Sequence, residues 1–367
     1  MSAPTPACLP RSAIPSHYEL TVRTDLVEGT FSGTCEIDLQ VDQPLDAITI
    51  HVAPPLKLGS AVLGRVGHDG LVDEVRRLVD TTTDEKLERA TLGFEGGTIS
   101  EGTYKLGCRW DGILDGSLAG YYAATHVDHV EGTQKKTRYT MTQFQPCDAR
   151  RAYPCFDEPD LKATFSISLI SRVGTTSLSN QSVDSSRRLK DGGAFPRTPL
   201  LTEAFFSSTT EDHQTDGDEW EIVHFKVTPR MSTYLAAWAN GDFSFVEGGC
   251  HSEFDNKFIS MRIYTLPHQI HQANLALKAS ERILPIIERF FDIPYPLEKL
   301  DTLATPGFGN GAMENWGLVI GGSSIYLVDD DNAGVAAQKM LKSVASHEIA
   351  HRKLKSVPAI SLSRCRH

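Results

Sequence analysis

The sequence of 367 residues predicts a chain of more than one domain, β first and α+β after it. Two patterns carry this. From about Ser16 to Phe245 apolar and polar residues alternate in short runs, whereas from about Ser252 onward the apolar residues recur at helical spacing. Size agrees, because 40% hydrophobic residues over this length can fill two or three ordinary cores.

In chain order, His17 to Arg23, Gly33 to Val41 and Ala47 to Val52 alternate as neighbouring strands of an antiparallel sheet. The pattern returns at Thr137 to Phe144, Ala163 to Leu169 and Glu221 to Val227, each bounded by turn-forming residues. Two stretches interrupt it, a charged one near Asp73 to Glu88 and a Ser/Asp/Gly-rich one from about Ser182 to Asp218. Both read as solvated surface loops. Beyond Ser252, Gln269 to Phe291 places Ile270, Ala273, Leu277, Ile283, Leu284, Ile287 and Phe291 on a helix that Pro294 and Pro296 end. A second helix starts near Asp331 or Asn332 and runs through Val335, Met340, Leu341, Val344 and Ile349, with short β elements before it at Leu318 to Ile320 and Ile325 to Val328. The expected division is a flexible start over 1–15, a β domain over 16–248, a second domain over 249–351 and a basic tail over 352–367.

Composition excludes some functions. A net charge of -11 argues against a surface that tracks phosphates, so no nucleic-acid partner is expected. Met1 to Pro15 carries no apolar core behind a basic start, and no run of eighteen apolar residues follows. The expectation is a cytoplasmic chain without a membrane span. Seven scattered cysteines without CxxC spacing point to free thiols rather than disulfides or a thiolate metal site.

The residues that carry chemistry come late. His347-Glu348-Ile349-Ala350-His351 is an HExxH motif inside the second helix, where i, i+4 spacing stacks both imidazoles on one face toward one Zn²⁺. Glu348, offset by one residue, stands beside such an ion and can take a proton from its water. The alternative is a pair of ordinary surface histidines. Upstream, Gly311-Ala312-Met313-Glu314-Asn315-Trp316-Gly317 sets a carboxylate among small residues that let a peptide backbone approach, so that Glu314 can pair with a free amino terminus. A Gly-rich turn with a solvated Glu is the plainer reading of that stretch. Thr142-Gln143-Phe144-Gln145-Pro146, continuing through Asp157-Glu158-Pro159, says by itself only that a strand ends in a polar turn.

Together these segments resemble the aminopeptidase N and puromycin-sensitive aminopeptidase family of zinc metallopeptidases, the gluzincins. The resemblance rests on TQFQPCDARRAYPCFDEPDLKATF, GAMENWG and HEIAH in that order, supported by LPRSAIPSHYELTV and STYLAAWANGDF, and runs from about Leu9 to His351. It implies a saddle-like N-terminal β domain followed by a thermolysin-like catalytic domain, here partial. It implies one zinc ion on His347 and His351, with Glu348 as general base. It also implies that Glu314 and Gln145 anchor the substrate ammonium within a binding loop of Gly311, Ala312, Met313, Glu314 and Asn315. The substrates would be peptides with a free N-terminus.

One part of that pattern is missing. The family adds a third zinc ligand, a glutamate some nineteen residues beyond the second histidine, and a tyrosine after it. Here the basic run from Arg352 holds no Asp or Glu, and His367 is the one nitrogen in reach as a substitute. The resemblance breaks at Arg352, as from a changed reading frame, a splice form or intron read-through. The sequence therefore predicts a truncated, impaired metallo-aminopeptidase, with an inactive peptide-binding or regulatory fragment as the alternative.

Overall fold

A computed structural model describes residues 8–130, 133–189, 193–196, 200–201, 219–309, 311–329 and 334–354. The strands are β1 (Ala13–Asp25), β2 (Thr30–Val41), β3 (Ile48–His51), β4 (Lys57–Val66), β5 (Val72–Asp84), β6 (Arg89–Phe94), β7 (Gly102–Ile113), β8 (Gly120–Val130), β9 (Thr133–Gln143) and β10 (Thr164–Arg172). Then follow β11 (Thr176–Ser179), β12 (Val183–Leu189), β13 (Trp220–Phe225), β14 (Trp238–Gly241), β15 (Ser244–His251) and β16 (Phe258–Thr265). Helix α1 (Asn274–Phe291) leads to β17 (Asp301–Thr305), β18 (Ala312–Met313), β19 (Leu318–Gly322), the one-turn α2 (Ser323–Tyr326) and α3 (Val335–Leu354). The fold class is the predicted one, a β-rich N-terminal part followed by an α+β part.

Packing divides the chain into two compact units. The first gathers Met1–Tyr122, Phe144–Val173 and Val183–Tyr234; the second gathers Ala123–Gln143, Gly174–Ser182 and Leu235–His367. The first is built on a ten-stranded sheet in the order β12-β13-β10-β1-β2-β7-β4-β5-β6-β3, in which β1 runs parallel to β10. Alternation buries one face of β1 and β2, where Tyr18, Leu20, Val22, Ile37 and Leu39 are at most 1% exposed. Each such side chain contributes about 1.5–3 kcal/mol relative to leaving it in water. Gly33 sits opposite Trp110 in the β2–β7 register, and a Cβ there would collide with the indole ring.

The stretch expected as a charged loop at Asp73 to Glu88 is instead mostly strand: β5 pairs with β4 and β6. Its side chains are almost all exposed or half-buried, so no hydrophobic alternation announces it, and the backbone ladder holds it in place. Val183 to Leu189, also expected as loop, forms the exposed edge strand β12; much of 190–218 lies outside the described residues.

The second unit holds a four-stranded sheet, β11-β14-β9-β8, and a five-stranded one, β15-β16-β17-β19-β18. Helix α1 packs against β15 and β16 and against α3. It ends as predicted: Asp292 takes a left-handed conformation (φ 52°) that closes the last turn, and Pro294 and Pro296 follow. The β element expected at Ile325 to Val328 is absent, because Leu327 N donates to Ser323 O and closes the single turn of α2. The expected caps Asp331 and Asn332 lie outside the described residues, as does the tail from residue 355 with His367. The six described cysteines are free thiols, as expected. Among the described residues no helix is long and apolar enough to cross a membrane.

Candidate active site

His347, Glu348 and His351 lie on α3. One turn apart on the same face, the two imidazoles meet with Nε2 atoms 2.9 Å apart and ring planes at 85°. Two ligands of a tetrahedral zinc with bonds of 2.0–2.1 Å stand about 3.3 Å apart, so this donor pair fits one ion after a small spreading. Glu348 points inward from them and is 5% exposed. It borders a cleft of about 530 Å³ whose wall also includes Gly311, Ala312, Met340, Val344 and His347. Behind it, Glu348 shares a void of about 10 Å³ with Ser280 and Tyr326.

The structure thus brings the backbone of Gly311 and Ala312 to the same cleft as the HExxH helix. Ala312 and Met313 form β18, antiparallel to β19, with Ala312 opposite Gly321 and Met313 opposite Ile320. Gly322 N donates to Gly311 O at 2.9 Å and fixes the mouth of this hairpin. Met313, Glu314 and Asn315 are buried, and none of the three lines the cleft.

Two residues that the motifs do not contain hold the turn after Asn315. Asn180 Nδ2 donates to Trp316 O at 2.7 Å and to Leu235 O at 2.8 Å, while its Oδ1 accepts from Ala237 N at 2.8 Å. Gly317 is at φ +76°, and a Cβ on it would collide with Asn180 O. Buried Lys299 donates from Nζ to Gly317 O and to Ser179 O, and forms an ion pair with Asp301 at 2.8 Å. Nothing local in the sequence marks Asn180 or Lys299, because their partners are distant along the chain.

Gln145 belongs to the first unit, where it is exposed and joined to Pro146 by a cis peptide. The residues after it are structural. Arg150 Nε bonds Asp157 Oδ2 at 3.0 Å, Thr233 Oγ1 donates to Asp157 Oδ1 at 2.7 Å, and Asp157 N donates to His51 Nδ1 at 3.2 Å. Burial, then the neighbouring Arg150 and Arg89, pushes His51 from its ordinary 6.5 down to about 3, so it is a neutral acceptor near pH 7.

An HExxH helix and a β-hairpin that share one cleft define a candidate metallohydrolase. Residues 14–202 match the peptidase M1 N-terminal domain and residues 275–353 the peptidase family M1 domain, and the chain belongs to the peptidase M1 family. It is 33% identical over 353 residues to the mitochondrial aminopeptidase 2 of Saccharomyces cerevisiae, covering 95% of this chain and 32% of that protein. It is 31% identical to endoplasmic reticulum aminopeptidase 1 of Homo sapiens (94% of this chain, 32% of the relative) and 30% identical to aminopeptidase N of Rattus norvegicus (94% and 33%). The chain spans about a third of the length of these relatives. M1 peptidases are typically zinc-dependent.

Proposed function

We propose that this chain carries the amine-anchoring and water-activating parts of a zinc aminopeptidase that removes the N-terminal residue of peptides. The observation that carries the reading is the single cleft lined by Gly311 and Ala312 on one side and His347 and Glu348 on the other. His347 and His351 would hold the zinc. When bound, that ion supplies a Lewis acid for the scissile carbonyl and lowers the pKa of a water. The peptide groups of Gly311 and Ala312 align the substrate in extended form, and the carboxylate of Glu314 receives its ammonium. Glu348 takes the proton of the attacking water and returns it to the leaving amine. Anchoring the ammonium sets the cut one residue from the end. The division into a β domain over 16–248 and a catalytic domain over 249–351 belongs to the same reading.

Among the described residues no third His, Cys, Asp or Glu joins His347 and His351, so this part of the chain offers zinc two imidazoles. It therefore holds the ion weakly and turns over slowly. The same observation favours a second reading, a peptide-binding module without turnover. Hydrolysis of an aminoacyl aminocoumarin in excess zinc, compared with its N-acetylated form and with Glu348→Gln, separates the two. Slow turnover of the free-amine substrate alone, abolished in Glu348→Gln, is expected. Cleavage of the acetylated substrate overturns the amine anchor. Saturable binding of a free-amine peptide with no turnover at all selects the second reading.

A further inference from the structure

A second cluster of metal donors lies in the same unit and shares no residue with the HExxH helix. His126 and Asp128 are two apart on β8, the outermost strand of the four-stranded sheet, and so project from one face of it. His268 stands on the 3-10 turn Pro267–Gln272, which follows β16. One ligand atom from each of the three lies within 4.8 Å of the others. The two imidazoles are stacked at 4.9 Å with 10° between their planes, and His268 Nδ1 is 3.7 Å from Asp128 Oδ2.

That last distance is too long for a hydrogen bond. Apart from this Asp128–His268 contact, the donor atoms of the three side chains make no hydrogen bond among the described residues. His126 and Asp128 are half-buried and His268 is exposed, which leaves a path from solvent. Two imidazole nitrogens and one carboxylate oxygen make three corners of a tetrahedral site with the fourth open to water. Ligand atoms around such an ion stand about 3.3 Å apart, so side-chain rotations moving the donors by about 1 Å close the cluster. Two nitrogen donors select against calcium and magnesium, which take oxygen ligands, and in favour of late first-row ions.

We infer that His126, Asp128 and His268 form a second binding site for a divalent transition ion, zinc foremost. The bound ion ties the sheet-edge strand β8 to the turn after β16, two pieces of chain far apart in sequence. Such a clip stabilises the folded state by RT ln(1 + c/Kd), where c is the free ion concentration, so the gain grows with c.

The test uses the full chain carrying His347→Ala and His351→Ala, stripped with a chelator and titrated with zinc chloride alone by calorimetry and equilibrium dialysis. One zinc per chain is expected in this background, with affinity falling at least tenfold in His268→Ala and in Asp128→Asn. A zinc-dependent rise in melting temperature of about 2–4 °C should vanish in both. His268 is exposed, so its replacement does not threaten folding, and circular dichroism of each variant verifies this. Absence of saturable zinc binding in this background, or binding untouched by both substitutions, overturns the site.

Discussion

Two buried glutamates, Glu288 and Glu348, sit on the two long helices of the second unit, and their surroundings separate a structural from a chemical use. Glu288 on α1 is 0% exposed and its carboxylate is enclosed by protein donors: Ser252 Oγ at 3.2 Å, Glu253 N at 3.1 Å and Tyr295 N at 2.5 Å. It ties the end of α1 to the turn before β16 and to the chain leaving the helix. Glu348 on α3 is equally inward, yet it borders the cleft that His347 and Gly311 also line. Their helices do not differ in this way: α1 leaves Ile286 and Phe290 53% and 78% exposed, and α3 leaves Val335 and Met340 70% and 56% exposed. Burial alone therefore does not mark a functional carboxylate; what faces its oxygens does.

The largest effects expected follow from this difference. Glu348→Gln should reduce turnover of an aminoacyl substrate by about 10²–10⁴-fold, the usual worth of a general base, and leave the urea midpoint within experimental error. Glu288→Gln should do the opposite, costing about 3 kcal/mol because two backbone donors and a hydroxyl lose a charged acceptor. If Glu348→Gln destabilises the chain as much as Glu288→Gln does, Glu348 is a structural residue and the proposed base is wrong.

The site was more readable in the sequence than the scaffold around it. HExxH is visible because its spacing matches the helical repeat, so His347 and His351 meet wherever that helix forms. Strands β1 and β2 were visible for the analogous reason, one face buried and the other not. β5 was not, because its backbone pairs on both sides while its side chains stay in water, and nothing in side-chain polarity records a ladder. The interleaving of the two units was equally hidden. β9 and β11 join the second unit through β14, a pairing between segments that no local pattern connects. Asn180 and Lys299 hold the Trp316-Gly317 turn from such distant segments, so the supports of the GAMEN loop emerge only from the fold.

A buried group of purely structural use should register in stability against pH, and His51 supplies the case. Its folded pKa of about 3 lies below its ordinary 6.5, so between those values the unfolded chain binds a proton that the folded chain does not. The stabilisation is complete above pH 6.5 and is lost as pH falls toward 3. At pH 4 the loss from this residue is about 3 kcal/mol. Urea unfolding at pH 7 and pH 4 should show that drop in the parent chain and a drop smaller by about that amount in His51→Gln. Equal drops would mean that His51 titrates normally in the fold.

The smallest effect on stability is expected at Met340, next to one of the larger ones. Met340 and Leu341 are adjacent on α3 and point to opposite surroundings: Leu341 is 0% exposed, Met340 is 56% exposed and lines the cleft. Leu341→Ala removes a packed side chain and should cost about 2–5 kcal/mol. Met340→Ser removes little buried area, so its stability should stay within about 0.5 kcal/mol of the parent. Its thioether nevertheless offers a soft apolar surface to whatever occupies the cleft, and its loss should raise KM for substrates with large apolar N-terminal residues while leaving kcat unchanged. A change confined to kcat, or none for any substrate, would show that the substrate side chain does not reach this wall.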